Sequence, residues 1–264
     1  MTDVQQEEAL HYFNAHAEEW KNKAKAADAG QVNLIQQRNQ YVIAIISDRK
    51  ETISMLDIGC GTGDLVCEAA KKGINSIGVD FAQEMIDLAL KTTKEEQLKK
   101  AKFECCSIFD FNLSEKKFDV ISANGFIEYI SQQELNKFFD LVCDALNPNG
   151  SFVVGSRNRL FNLFSLNSFT QQELDSSSIE SLLKESMVFA SGDNIEEVLK
   201  VEPAPLQNND TQHTFTGIDV LTRFQYTPHQ LVNMLKERGF EVVEVYPVHI
   251  HSLPSVFKEK HPEI

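Results

Sequence analysis

Apolar residues follow two alternating patterns along the chain, short runs typical of buried strands and longer stretches with helical spacing. The short runs predict strands at residues 53–58, 74–79, 103–107, 118–123, 151–155 and 240–246. The longer stretches predict helices at residues 2–27, 31–47, 64–72, 82–95, 133–146 and 227–238. Because strands and helices alternate, we expect an α/β protein with a doubly wound parallel sheet and helices on both of its faces.

One long segment, residues 157–226, interrupts this alternation. It is rich in Ser, Asn and Gln and contains Pro203 and Pro205. A connection of this length is usually functional or a small subdomain. It begins at the carboxyl end of the fifth predicted strand, the edge where ligands bind in such sheets. We therefore predict a lid over a substrate, with an insertion of no function as the alternative.

The first predicted strand runs directly into a glycine-rich turn and then into a helix. The turn has the sequence Asp57-Ile58-Gly59-Cys60-Gly61-Thr62-Gly63. Its glycines let backbone N–H groups and a helix N-terminus approach a ligand. Asp57 would repel a phosphate but suits a cationic amino group or ribose hydroxyls.

Two other nucleotide-binding motifs are disfavoured at this turn. The dinucleotide fingerprint requires a glycine where Asp64 stands, and the phosphate-binding loop of nucleotide triphosphatases requires a lysine that the turn lacks. A strand–helix turn without any ligand is a weaker alternative, because three glycines and a preceding acid occur together.

An acidic residue ends the second predicted strand. Asp80 lies about 20 residues after the turn, where a carboxylate can accept hydrogen bonds from ribose hydroxyls. Phe81 follows it and can pack on an adenine face. The structural alternatives are that Asp80 only caps a helix and that Phe81 belongs to the core.

Composition and charge exclude several classes of partner. The 264 residues carry a net charge of −14, which argues against nucleic acid and anionic membranes as partners. No apolar run is long enough to span a membrane, and residues 1–10 resemble neither a signal peptide nor a transit peptide. The five cysteines have no metal or redox spacing, which favours the cytoplasm and no metal site.

Taken in order, four motifs resemble the class I S-adenosylmethionine-dependent methyltransferases over roughly residues 53–246. They are the turn at 57–63, Asp80, the strand opening Phe118-Asp119-Val120 and Leu146-Asn147-Pro148-Asn149-Gly150. The resemblance implies a Rossmann-like sheet of seven strands, S-adenosylmethionine as the cofactor, and methyl transfer to a small molecule. It divides the chain into a helical cofactor cover (1–50), the cofactor-binding core (51–156), the lid (157–226) and a C-terminal completion of the core (227–264).

The resemblance also implies a set of cofactor-binding residues. Ser107 and Ile108 lie beside the adenine, although many members have an acidic residue at the serine. Asn124 and Gly125 face the methionine portion, and Arg38 pairs with its carboxylate or is simply solvated. Tyr12 and Trp20 lie near the sulfonium or are simply buried against the domain. The full set is Tyr12, Trp20, Arg38, Asp57, Gly59, Cys60, Gly61, Thr62, Gly63, Asp80, Phe81, Met85, Ser107, Ile108, Asn124 and Gly125.

The sequence says less about the molecule that accepts the methyl group. Residues 127–130 and Tyr226-Thr227-Pro228 resemble the ubiquinone-biosynthesis type of O-methyltransferase, which commonly has histidine where Tyr129 stands. This implies an oxygen acceptor, with nitrogen left open. His213 is the candidate base, ahead of His229, His249 and His251.

Two further expectations concern residues outside the cofactor set. Arg157 and Arg159, at the start of the lid, are candidates to bind a carboxylate or phosphate on a substrate, with a surface turn as the alternative. A protein that binds S-adenosylmethionine without transferring its methyl group is the competing function, and the sequence leaves the oligomeric state open.

Overall fold

The computed structural model of the protein describes residues 4–25, 33–49, 53–114, 116–191, 195–206, 224–246 and 248. These residues form two compact units. The first unit holds the described residues up to 156 together with Phe224. The second holds those from 157 to 206 and from 225 onward.

A parallel sheet forms the centre of the first unit. Its strands are β1 (Ser54–Ile58), β2 (Asn75–Asp80), β3 (Ala101–Cys105), β4 (Phe118–Asn124) and β5 (Leu146–Gly155). They lie in the order β3-β2-β1-β4-β5, and every pairing is parallel. The carboxyl ends of all five strands therefore meet at one edge, where ligands bind in open α/β sheets.

In the described part of the first unit, six helices and one 3₁₀ turn accompany this sheet. They are α1 (Val4–Ala15), α2 (Ala17–Lys25), α3 (Leu34–Ser47), α4 (Asp64–Lys71), α5 (Gln83–Glu95), the 3₁₀ turn Ile127–Tyr129 and α6 (Gln132–Ala145). The predicted first helix is divided in two between α1 and α2. Helix α6 begins at a capping box in which the Ser131 hydroxyl accepts from the Glu134 N–H at 3.2 Å and Glu134 accepts from the Ser131 N–H at 2.8 Å.

The central strand carries the apolar core. Met55 and Leu56 of β1 are fully buried. Met55 lies in one cluster with Val42 of α3 and Val66 of α4, so these helices cover its side of the sheet. Burying β1 in this way fixes the position of the turn that follows it.

The expectation of seven strands was wrong, since the sheet has five strands in the part of the chain that the structure describes. Residues 240–246, predicted as a strand from their β-branched side chains, form no strand. Val243 is 92% exposed and Val245 43% exposed. A segment of high strand propensity that buries neither face does not pack against a neighbouring strand. Such packing is what stabilises a sheet.

The second unit is helical over most of its described length. It contains the 3₁₀ turn Arg159–Phe161 and helices α7 (Asn162–Ser165), α8 (Ser168–Asp175), α9 (Ile179–Ala190), α10 (Ile195–Val198) and α11 (Pro228–Lys236). Across both units, none of the described helices combines the length and apolar character needed to cross a membrane.

A buried ion pair holds the beginning of the second unit together. Arg159 donates to both carboxylate oxygens of Glu173, at 2.9 and 2.7 Å, and to the Pro205 carbonyl at 2.5 Å. Both side chains are 1% exposed. The expectation that Arg159 binds a substrate anion was therefore wrong, because Glu173 already neutralises its charge.

Candidate functional site

The glycine turn joins β1 to α4 through three left-handed residues. Gly59, Gly61 and Gly63 have φ values of 68°, 51° and 76°. A side chain at Gly63 would stand 2.6 Å from Phe103, and one at Gly59 would stand 3.1 Å from Phe126. Close packing therefore requires glycine at both positions.

The middle of the turn is open. A side chain at Gly61 would meet no described atom within 4 Å. On the opposite side, the N–H groups of Gly59 and Cys60 donate to the Val79 carbonyl at 2.9 and 3.2 Å. The turn is thus anchored to the end of β2 and leaves its other face open at Gly61.

Asp80 at the end of β2 supports the turn directly. Its Oδ2 accepts from the Gly61 N–H at 2.8 Å and its Oδ1 from the Ala82 N–H at 3.0 Å. Burial raises the pKa of this carboxyl, although three backbone N–H groups lower it. The two carboxylate oxygens have four lone pairs in all, so three backbone donors leave capacity for a further donor such as a ribose hydroxyl.

Asp57 is buried beneath the same turn. The Ser122 hydroxyl donates to its Oδ1, across the parallel register that places Asp57 beside Ser122. Burial raises the pKa of the Asp57 carboxyl to about 7. The charge of Asp80 raises this pKa further, whereas Arg38 lowers it. A cationic group near the turn would favour the ionised form of Asp57.

Arg38 and Asn124 bring buried hydrogen-bond donors to the same edge of the sheet. A side chain at Gly125 would stand 2.8 Å from Arg38 Nη1, and one at Gly155 would stand 2.5 Å from Asn124 Oδ1. Arg38 Nε and Asn124 Nδ2 are buried and have no hydrogen-bond partner among the described residues. Two unsatisfied donors, one of them cationic, suit a carboxylate.

An aromatic cluster covers the start of α5. Phe13 of α1 contacts Trp20 of α2, Phe81 and Tyr129, with ring centroids 6.0, 6.5 and 5.1 Å away. Tyr12 is 4% exposed and stacks on His16 at 4.3 Å. The first two helices are therefore fixed by aromatic contacts to the loop that carries Phe81.

The remaining predicted cofactor residues lie around the turn or at the ends of neighbouring strands. Met85 packs in one apolar cluster with Phe81 and Trp20. Ser107 and Ile108 follow β3, where the Ser107 carbonyl accepts from two N–H groups and Ile108 is 3% exposed. Ser107 and Ile108 therefore lie beyond the carboxyl end of β3, at the same edge of the sheet as the glycine turn.

Two residues of the turn have local structural roles. The Thr62 hydroxyl donates to the carboxylate of Asp64 at 2.5 Å. Burial raises the pKa of the Cys60 thiol well above its ordinary value, with further contributions from Asp80 and Asp57. Cys60 is therefore a poor nucleophile, as its thiolate is disfavoured.

The candidate bases fall largely outside the described residues. His213, His249 and His251 all do so. His229 is 3% exposed at the start of α11, and its backbone N–H donates to Glu185 at 2.9 Å. Among the residues that the structure does describe, no three His, Cys, Asp or Glu side chains group as a metal ion would require.

Sequence reasoning missed two contributors to the site. Ser122, the hydroxyl partner of Asp57, could be found only from the register of β1 against β4. Phe103, which packs on Gly63, resembles an ordinary core residue in the sequence. Their roles depend on contacts between distant strands, which residue type and spacing do not reveal.

A family model described as a methyltransferase domain matches residues 49–216, more than half of the chain. The matched region includes the glycine turn, Asp80, Ser122 and Asn124. It therefore covers most of the site described above.

Two curated relatives carry methyltransferase names. The ubiquinone biosynthesis O-methyltransferase of Coxiella burnetii is 26% identical over 158 residues, 60% of this chain and 64% of that protein. Phosphoethanolamine N-methyltransferase 2 of Caenorhabditis elegans is 27% identical over 117 residues, 44% of this chain and 26% of that protein. This chain thus spans less than two thirds of the length of either relative.

A solved structure has a similar fold over nearly the whole chain. Magnesium protoporphyrin IX methyltransferase from Synechocystis PCC 6803, with S-adenosylhomocysteine bound, superposes with a TM-score of 0.58 at 14% identity. The alignment covers 92% of this chain and 91% of that one. At this level of identity the likeness establishes a shared fold.

Proposed function

The chain belongs to the methyltransferase domain family, as a class I S-adenosylmethionine-dependent member, and we propose that it methylates an oxygen nucleophile on a small molecule. S-adenosylmethionine is the cofactor that this membership implies. The observation that carries the cofactor assignment is the turn at Gly61, which is open on one side and supported by the carboxyl of Asp80. The match to a protein named as an O-methyltransferase supports the oxygen acceptor.

The polar groups around the turn fit the parts of S-adenosylmethionine. Asp80 would accept from the ribose hydroxyls with the capacity that its backbone donors leave over. Asp57 would attract the cationic amino group. Arg38 Nε and Asn124 Nδ2, buried donors without described partners, would receive the carboxylate.

The cofactor supplies an activated methyl group on a sulfonium, so the chain's task is to hold and orient two reactants. Fixing the cofactor at three points removes its translational and rotational freedom before the reaction, which can supply much of the rate. The proton of an acceptor hydroxyl must also leave. His213 remains our candidate for receiving it.

Three observations support the oxygen acceptor, the role of residues 157–226 and the cytoplasmic location. The match to a protein named as an O-methyltransferase covers 60% of this chain and that to an N-methyltransferase 44%, which favours oxygen. Residues 157–226 follow directly after β5, so we assign acceptor recognition to them. The five cysteines are all free, which suits a reducing cytoplasm.

Titration calorimetry with S-adenosylmethionine and S-adenosylhomocysteine tests the cofactor site. Both should bind, and Asp80→Ala should weaken binding by about 1–3 kcal/mol because the ribose hydroxyls lose their acceptor. Asp87→Ala, the same change at an exposed position of α5, is the matched control and should bind as the wild type does.

Three outcomes of this titration are informative. No binding of either compound would contradict the proposal. Binding of a nicotinamide dinucleotide instead would restore the dinucleotide-binding alternative. Unchanged affinity in Asp80→Ala would mean that Asp80 supports the turn but does not bind the cofactor.

A further inference from the structure

Gly155, the last residue of β5, lacks a side chain for a reason that its own backbone does not explain. Six of the described glycines have positive φ, and Gly155 is not one of them. Its backbone therefore does not exclude a side chain. A glycine within a strand weakens that strand and often marks a position where another group approaches closely. The explanation for Gly155 thus lies in its neighbours.

The group that approaches Gly155 is the amide of Asn124. A side chain at residue 155 would place its first carbon 2.5 Å from Asn124 Oδ1 and 3.4 Å from Asn124 Cγ. The first of these distances is well inside van der Waals contact. The same carbon would lie 3.6 Å from Arg38 Cδ, which is an ordinary contact. An alanine at this position would therefore displace the Asn124 amide but would touch Arg38 without a clash.

The backbone on both sides of this contact is fixed by the sheet. Asn124 and Gly155 are paired in the parallel register of β4 and β5. The Gly125 N–H donates to the Gly155 carbonyl at 2.8 Å. Moving the two strands apart to admit a methyl group would break this hydrogen bond, so the displacement falls on the Asn124 side chain.

The amide of Asn124 carries one of the two unsatisfied donors at this edge of the sheet. Its Nδ2 is buried without a hydrogen-bond partner among the described residues, as is Arg38 Nε. Arg38 is close by, because its Nη1 is 2.8 Å from the position of a side chain at Gly125. Oδ1 and Nδ2 are bonded to the same planar carbon, so the position of Oδ1 against Gly155 also sets the direction of the Nδ2 donor.

We propose that Gly155 is a positioning residue for the carboxylate of S-adenosylmethionine and acts through Asn124. The absence of a side chain at residue 155 lets the Asn124 amide lie against β5 and holds its Nδ2 donor in place. This role requires no contact between Gly155 and the cofactor. The inference rests on the proposed function, because it needs the cofactor carboxylate to bind Arg38 and Asn124.

Two ligands that differ only in the carboxylate test this role by titration calorimetry with the full chain. S-adenosylhomocysteine has the carboxylate, and its decarboxylated analogue, S-adenosyl-3-thiopropylamine, keeps the adenosine, the sulfur and the amino group. Gly155→Ala should weaken S-adenosylhomocysteine binding roughly tenfold to hundredfold, the loss expected for one hydrogen bond to a charged group. Its affinity for the decarboxylated analogue should equal that of the wild type, whereas a merely structural defect would weaken both ligands alike.

Combination with Asn124→Ala shows whether Gly155 acts through the amide. Asn124→Ala removes both the Nδ2 donor and the oxygen that a side chain at residue 155 would meet. Adding Gly155→Ala to it should cause no further loss of S-adenosylhomocysteine affinity, because residues that act as one unit have non-additive effects. The comparison also serves if Gly155→Ala alone folds poorly, since the double variant has no Asn124 amide to displace.

Gly73→Ala is the matched control. Gly73 lies between α4 and β2, at the opposite edge of the sheet, and has a φ of 85°. Alanine there strains the backbone and meets only Lys100 Nζ, at 3.8 Å, among the described atoms. This variant should lower the free energy of unfolding without changing the affinity for either ligand.

Three results would overturn the inference while leaving cofactor binding intact. They are equal affinity of the wild type for the two ligands, a Gly155→Ala variant that weakens neither ligand or both alike, and a full further loss when Gly155→Ala is added to Asn124→Ala. Failure of the wild type to bind S-adenosylhomocysteine would instead contradict the proposed function and, with it, this inference.

Discussion

Asp57 is a buried acidic residue next to the glycine turn. Its carboxyl is 5% exposed, and a hydroxyl from the neighbouring strand donates to it. Burial raises its pKa to about 7. A ligand with a cationic amino group would pair with the ionised form, so binding should be coupled to the loss of a proton.

The protonation of Asp57 should also make the free energy of unfolding depend on pH. Between its ordinary value of 3.8 and about 7, Asp57 keeps its proton in the folded protein but not in the unfolded chain. The free energy of unfolding should therefore fall as the pH rises through this window. Relative to Asp57→Asn, which does not titrate, the wild type should lose up to about 1.4 kcal/mol per pH unit. Urea denaturation of both proteins across the window measures the difference, and parallel pH profiles would contradict the assignment.

Gly61 and Gly63 allow a paired test of the turn. Both have positive φ, so alanine strains the backbone at either position. At Gly63 the new methyl group would also stand 2.6 Å from Phe103, whereas at Gly61 it meets no described atom within 4 Å. Gly63→Ala should therefore cost about 1–3 kcal/mol more than Gly61→Ala, as measured by denaturant unfolding. Equal losses would mean that the packing against Phe103 is unimportant.

At the scale of the elements, side-chain contacts hold helices α1 and α2 in place next to the site. Phe13 contacts Trp20, Phe81 and Tyr129, so one ring connects two helices, a loop and a 3₁₀ turn. Most residues of α1 are polar, and among its described side chains only Ala9 and Tyr12 are buried. Its attachment should therefore be sensitive to the loss of this ring.

Phe13→Ala tests that attachment. Because Phe13 is half-buried, the loss in stability should be below the about 3–5 kcal/mol of a fully buried phenylalanine. Amide hydrogen exchange in α1 and α2 should become faster, while that in the sheet stays the same. Phe164→Ala, at a 55% exposed position in α7, is the control and should leave α1 and α2 unchanged. Unaltered exchange in α1 and α2 of Phe13→Ala would contradict the role of this ring.

Sequence patterns predicted the elements well where local chemistry determines them. The glycines mark the turn because few other residues adopt its positive φ values, and the Thr227-Pro228 pair marks the start of α11. Residues 240–246 were misjudged because a strand needs a neighbour to pair with, which propensity does not supply. The Arg159–Glu173 pair was missed because two charges 14 residues apart show no spacing that predicts contact.

For the molecule as a whole, the family resemblance in the sequence is confirmed by the methyltransferase domain that matches residues 49–216. The five-stranded parallel sheet gives the cofactor edge its shape. The acceptor could not be predicted from the sequence, because its recognition depends on side chains brought together from distant positions.

Transfer of a labelled methyl group tests the central claim most directly. The full chain is incubated with methyl-labelled S-adenosylmethionine and a pool of small metabolites, and mass spectrometry follows the label. Our account predicts one or more labelled small molecules, formed in step with S-adenosylhomocysteine and greatly reduced with Asp80→Ala. Tight cofactor binding with no labelled product from any metabolite fraction would contradict it and would favour a protein that binds the cofactor without turnover.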